Sequence, residues 1–268
     1  MEIRYIDIHS HLEFGDYGQD LKEVIKRMED SGVITITVGT DLVSSKEAVR
    51  IASENKNIYA CIGAHPADKK DFIFNESDFE SLVKNPKVVA IGECGLDYYV
   101  GPKSKVESEK LKVISNEEKE RQKREFIKQI EFSIKYNKPL MLHIRNAYDD
   151  SYVILNKYRS KVRGNVHFFT GSSDWAKKFN NIGFTVSFPG VITFAKECED
   201  VVKNIPLDMV HAETDSPYAS PIPYRGKRNE PTYVIEIVKK IAEIRGEDYE
   251  KVRLQLLANA KRVFSVKI

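Results

Sequence analysis

Short apolar runs rich in β-branched residues punctuate the chain at 3–8, 33–38, 58–62, 88–91, 139–144, 165–169, 183–188 and 209–212. Each is too short for a helix and reads as a strand. Between most of them lie polar stretches whose apolar positions recur at helical spacing, such as Leu21, Val24, Ile25 and Met28, or Phe126, Ile130, Phe132 and Ile134 amid lysines and glutamates. Strand and helix alternate, which is the signature of repeated right-handed βαβ crossovers. Eight such units close into an α/β TIM-type (β/α)8 barrel, an architecture of about 250 residues. A doubly wound sheet needs fewer strands and a glycine-rich phosphate loop after the first. Here the first strand ends in His9-Ser10-His11 instead. Stretches 231–244 and 248–263 read as two final helices broken near Gly246, so a single barrel domain over 1–268 is expected. One segment interrupts the rhythm. Residues 100–115 (VGPKSKVESEKLKVIS) follow the fourth strand without periodicity and read as an inserted loop, either merely solvated or acting as a flap.

The composition changes this picture little. With 41% hydrophobic and 31% charged residues the chain is globular, and its net charge of +2 is too small to argue for a nucleic-acid partner. Any such argument must come from local residues. Cys61, Cys94 and Cys198 are odd in number and far apart, fitting a reducing compartment better than a disulfide framework. The N-terminus carries no basic-then-apolar leader, and no long apolar run follows. The expectation is a soluble, cytoplasmic, monomeric protein with no membrane or obligate protein partner.

The histidines change it a great deal. Of six in the chain, His9, His11, His65, His143 and His167 fall at or near the C-terminal ends of expected strands, and those ends form the catalytic face of a TIM barrel. His9 and His11 are two apart on a strand, so strand periodicity points both the same way, into the barrel with Asp7 one pleat below. The fourth strand ends Gly92-Glu93-Cys94-Gly95, with glycines that allow close approach to a carboxylate able to bridge two ions. The eighth ends Glu213-Thr214-Asp215-Ser216-Pro217, placing Asp215 at the rim, where it can bind metal and accept a proton from water. Together His9, His11, Glu93, His143, His167 and Asp215 suit Mg²⁺, Mn²⁺ or Zn²⁺ without choosing among them. His211, inside the eighth strand, reads as a hydrogen-bonded core histidine. Asp7 and Glu213 read as outer groups that orient imidazoles or seal the barrel floor.

The segments DIHSHL at 7–12, GAHP at 63–66, GECGLDYY at 92–99, LHIR at 142–145, HFFTGS at 167–172, ETDSPY at 213–218 and PYRGKRNEP at 223–231 resemble, in order and across nearly the whole chain, the TatD family of metal-dependent deoxyribonucleases. The resemblance implies two divalent cations, one on His9, His11 and Asp215, the other on His143 and His167, with Glu93 shared. It implies contact between His65 and the scissile phosphate. Two divalent ions with only two carboxylate ligands leave positive charge that a phosphodiester neutralises. Asp215 is then the expected proton acceptor, Glu93 the bridge and His65 the aid to the phosphate, the three catalytic candidates. A barrel mouth admits one strand more readily than a continuous duplex, so with the family resemblance single-stranded DNA ends are the expected substrate; the resemblance also implies shortening 3′ to 5′, a direction the residues themselves leave open. Arg145, Arg225, Lys227 and Arg228 are candidates for phosphate contact, with a structural clamp as the competing role for Lys227 and Arg228. Tyr98, Tyr99, Phe169 and Tyr224 are candidates for base stacking, with barrel packing as their alternative. Two departures from the family pattern are Asn146, where Asp is common and where either residue can cap a helix, and the 100–115 insertion. Competing readings are a barrel hydrolase of a small ester, lactone, amide or phosphoester, and a non-catalytic metal-binding protein. Glu93 stands where many barrel hydrolases carry a carboxylated lysine, which disfavours the first. The intact ligand set disfavours the second.

Overall fold

The computed structural model describes residues 2–67, 73–101 and 114–267. Eight parallel strands follow one another round a nearly closed barrel in the order β1 to β8: Tyr5–Ser10, Val33–Val38, Ile58–Ile62, Val88–Asp97, Leu140–Arg145, Gly164–Val166, Phe184–Phe188 and Val210–Ala212. The ring is drawn together past β8, where the Asp215 N–H donates to His9 O (2.9 Å) and the His11 N–H to Ser216 O (2.8 Å). Helices α1 (Leu21–Ser31), α2 (Leu42–Glu54), α3 (Glu76–Val83), α4 (Asn116–Lys135), α5 (Tyr148–Lys157), α6 (Ser173–Asn180), α7 (Glu199–Asn204) and α8 (Val234–Arg245) alternate with the strands, and α9 (Tyr249–Phe264) ends the chain. Local chemistry marks their ends. Asp41 and Ser44 form a capping box on α2, and Gly246, at φ 62°, ends α8 as expected. No helix among the described residues is long and apolar enough to cross a membrane.

Alternate strand residues fall into two apolar clusters. Ile58, Ala60 and Ile62 pack outward with helical residues such as Val49, Phe79 and Ile130. Tyr59 and Cys61 instead join Ile6, Ile8, Ile34, Ile36, Val38 and Met141, and this inner cluster meets Leu257, Ala260, Val263 and Phe264 of α9. α9 therefore plugs the lower end of the barrel and leaves the upper end open. His211 belongs with the plugged end, its ring 5.8 Å from that of Phe264. It is buried as expected, but neither ring nitrogen has a hydrogen-bond partner among the described residues, which corrects the expectation of a hydrogen-bonded histidine.

The bounds depart from expectation where the backbone leaves regular strand geometry. β4 runs on to Asp97 because Gly92 (φ 152°) and Gly95 (φ 142°) sit where a Cβ would lie 2.3 Å from Met141 O and 2.1 Å from His143 O. β6 stops at Val166 because Phe168 turns into the left-handed region at φ 45°. In β1 the register slips between Asp7 and Ser10. That slip overturns the expected alignment of Asp7 with His9 and His11, since a one-residue bulge breaks the alternation. Asp7 instead accepts from Thr214 N (2.8 Å) and Thr214 Oγ1 (2.6 Å), tying β1 to the end of β8. Asn146 caps no helix: it takes φ 55°, and Ala147 holds the cap position of α5. Of the 100–115 insertion, residues 102–113 lie outside the described residues.

Candidate metal centre

The open end of the barrel holds a cavity of about 560 Å³ with His11, His65, Glu93, His143, His167 and Asp215 among its walls. Glu93 is central, and its two oxygens face different partners. Oε2 lies 3.5 Å from His9 Nε2 and 3.8 Å from His11 Nε2. Asp215 Oδ1 lies 3.7 Å and 3.5 Å from the same two nitrogens, which are 3.2 Å apart. Four donors about 2.1 Å from one tetrahedral ion stand roughly 3.4 Å from each other. The five spacings just given fit that figure, and His9, His11 and Asp215 form a group able to hold a cation. Oε1 of Glu93 lies 2.8 Å from His143 Nδ1 and 2.7 Å from His167 Nε2, nitrogens themselves 3.2 Å apart, and 3.6 Å from His65 Nε2. Two imidazole nitrogens at such a distance present lone pairs to each other unless a proton or a cation lies between them.

The protonation preferences express the same need for positive charge. Burial alone would raise the Glu93 carboxyl, yet His167, His65 and His143 hold it well below the usual carboxylate range. Asp215 is lowered likewise, its burial outweighed by His11, His9 and His167. His167 is pushed up to about 10: burial opposes this, and the Glu93 and Glu213 carboxylates overcome it. His11 and His143 are raised against burial by Asp215 and Glu13 and by Asp97 and Glu93 respectively. His9 is lowered, by burial and by His167. Protons here occupy places a divalent cation takes by displacing them.

A second ring of contacts aims the donors. His11 Nδ1 meets Val38 O at 2.7 Å and Glu13 Oε1 at 3.2 Å, and Glu13 is itself bonded by Thr37 Oγ1. His143 Nε2 meets Asp97 Oδ2 at 3.1 Å, while Asp97 Oδ1 accepts from the Tyr99 N–H at 2.8 Å. Glu213 Oε1 lies 3.7 Å from His167 Nδ1, and Oε2 accepts from Ser187 Oγ at 2.7 Å. At hydrogen-bond distance a carboxylate fixes an imidazole's tautomer and ring plane, as Glu13 does for His11 and Asp97 for His143, whereas Glu213 faces His167 by charge alone. Asp97 and Glu13 are not among the sequence candidates, although Asp97 lies in the GECGLDYY segment and each follows a candidate ligand by a few residues.

The other candidates divide by location. Arg145 lines the cavity with its guanidinium 3.6 Å from the Tyr99 ring centroid, and it makes no ion pair among the described residues. Tyr99 is 45% exposed beside it. Tyr98 is half-buried away from the cavity, its hydroxyl donating to Asp150 at 2.8 Å. Arg225 lies over Phe194, and Lys227 is exposed on the same turn. Arg228 is a clamp: it donates to Asp16 O and to both Asp20 oxygens and covers the Tyr17 ring, away from the cavity. Tyr224 stacks on Tyr233 at 3.8 Å, and Phe169 is buried against Tyr148 and Phe188, so packing accounts for both rings. The aromatic residues that do line the cavity are Phe14, Phe168 and Tyr218.

Imidazoles and carboxylates gathered at the C-terminal mouth of a parallel eight-stranded barrel define a metal-dependent barrel hydrolase. Residues 6–265 match the family described as TatD related DNase, and the chain belongs to that family. It is 38% identical to an uncharacterized metal-dependent hydrolase, YabD, of Bacillus subtilis (strain 168), covering 97% of this chain and 98% of that protein. It is 32% identical to a second uncharacterized metal-dependent hydrolase, YcfH, of Escherichia coli (strain K12), covering 97% and 96%. The crystal structure of YJJV, a TatD homologue from Escherichia coli K12, superposes with a TM-score of 0.87 at 26% identity over the whole of both chains.

Proposed function

We propose that this protein hydrolyses phosphodiester bonds of DNA, removing nucleotides from single-stranded ends in the 3′ to 5′ direction, with two divalent ions in the cavity. The observation that carries the reading is the division of imidazoles between the two oxygens of Glu93, His9 and His11 toward Oε2, with Asp215 beside the same two nitrogens, and His143 and His167 toward Oε1. Divalent ions held by these six residues supply Lewis-acid chemistry, neutralising charge that builds on a phosphodiester attacked by water. Asp215, with 14% of its side chain exposed at the mouth, accepts the proton that water gives up. His65, on the opposite side of Glu93, hydrogen-bonds a phosphate oxygen, and Arg145 adds a second positive contact at the rim.

The test is hydrolysis of end-labelled single-stranded DNA by chelator-stripped protein, with Mg²⁺, Mn²⁺ or Zn²⁺ restored and Asp215→Asn as control. Metal-dependent shortening from the 3′ end, lost in the variant, is the expected result. Cleavage of closed circular duplex as fast as free ends would refute the end preference. Bound metal without cleavage of any DNA would transfer the assignment to a small ester, lactone, amide or phosphoester.

A further inference from the structure

Phe168 stands where a regular strand would not put it. His167 and Phe168 are consecutive, yet both line the cavity, while Phe169 is 1% exposed within the core. Strand alternation would send 167 and 168 to opposite faces. The left-handed φ of 45° at Phe168 breaks the alternation, in a region that bulky side chains seldom visit. Buried contacts hold it there. The Phe168 N–H donates to Glu213 Oε1 at 2.5 Å, Glu213 is fully buried and bound by Ser187, and the next N–H, of Phe169, donates to Ser187 O at 3.0 Å. The chain thus keeps a half-buried phenyl ring at the rim, next to a residue of the metal centre.

Across the mouth stands a second aromatic wall. Phe14, after β1, lies parallel to the His11 ring (4.5 Å, 7°), and Tyr218, after β8, approaches Phe14 edge-on at 6.3 Å with 54% of its surface exposed. β1 and β6 are three positions apart round an eight-membered ring, so Phe14 and Phe168 face the cavity from different sides. The floor is ionic and the rim is aromatic, with Ile144 completing the apolar part and Arg145 the one cationic side chain of the rim among the described residues. A simple phosphate ester uses only the floor. An anionic ester carrying a flat, unsaturated ring beside the phosphate uses both.

We propose that Phe168 is a base-stacking residue, seating the nucleobase next to the scissile phosphate against its ring, with Phe14 and Tyr218 forming the opposite wall. This rests on the phosphodiesterase reading above and adds that the base itself is bound. Stacking tolerates any base, since each presents a π-face, so the subsite selects nucleotides over other phosphoesters without reading sequence.

The test compares kcat/KM for two single-stranded oligonucleotides, one with natural bases and one with tetrahydrofuran residues replacing the terminal two nucleosides. Phe168→Gly removes the ring and suits the left-handed backbone; Phe168→Trp restores a stacking face; Tyr218→Ala tests the opposite wall at an exposed position. Loss of one stack is worth about a tenfold change. The wild-type preference for the base-bearing strand is expected to fall about tenfold in Phe168→Gly, to return in Phe168→Trp, and to fall less in Tyr218→Ala. Equal losses on both strands, or none, would overturn the stacking assignment while leaving the nuclease reading intact. Failure of the wild-type, metal-loaded protein to cut either strand would overturn both.

Discussion

Replacing His211 by leucine should stabilise the protein, and more so in acid than in alkali. His211 is buried at the plugged end of the barrel with neither ring nitrogen bonded, and burial, with Arg262 nearby, depresses it to about 3. In the unfolded chain a histidine titrates near ~6.5. Between those values the unfolded state binds the extra proton, so stability rises with pH and is lost as pH falls below the unfolded value. The loss from this one residue is about 2 kcal/mol at pH 5 and negligible at pH 8, taking the folded value as about 3. Leucine has similar volume and no titrating group. Removing two unpartnered nitrogens should add about 1–3 kcal/mol at every pH. Urea midpoints of metal-stripped wild type and His211→Leu, measured at pH 8 and pH 5, isolate the term because all other ionisations are common to both. With a urea slope of about 3 kcal/mol per molar, the gap between the two proteins should widen by about 0.7 M on acidification. A gap that stays constant or narrows would show that His211 does not titrate as its burial requires.

Other expectations follow from the metal centre and the clamp. Glu93→Ala, which removes both oxygens from the donor sets, should lower bound metal in elemental analysis and reduce turnover by more than about a thousandfold, on the scale of losing a transition-state charge contact, with circular dichroism unchanged. Near-normal turnover would refute its central role. Asp97→Asn loosens the support of His143 and should weaken metal affinity by about 10- to 100-fold in calorimetry; unchanged affinity would make the Asp97 contact incidental. Arg228→Ala breaks contacts to Asp16 and Asp20 far from the cavity, so its expected effect is a loss of about 1 kcal/mol in urea unfolding, with kcat/KM on DNA within twofold of wild type. A tenfold rise in KM would return Arg228 to the substrate path.

Much of the architecture could be read from periodicity. The runs at 33–38 and 58–62 coincide with β2 and β3, and the helical stretches at 21–28 and 126–134 lie in α1 and α4, whose apolar stripes pack against the outside of the barrel. That succeeds because a strand's two-residue period and a helix's longer one are written in local side-chain order. The histidines and carboxylates at strand ends were legible for the same reason: once eight strands close into a ring, their C-terminal ends must converge.

What the order of residues leaves open is whatever a backbone irregularity or a distant partner decides. The bulge in β1 turns the Asp7 carboxylate away from the His9 imidazole, and a positive φ at Phe168 puts that ring at the mouth while Phe169, the stacking candidate by sequence, goes to the core. For Arg228 the sequence offered a phosphate contact or a structural clamp, and the ion pair with Asp20, over two hundred residues earlier, favours the clamp. The sequence by itself determined the barrel and the gathering of candidate ligands at its mouth, because both follow from periodicity and topology. Only the tertiary structure decided which neighbours aim those ligands and which rings wall the cavity, because register slips, left-handed residues and long-range ion pairs reverse a side chain's direction at little cost to the local pattern.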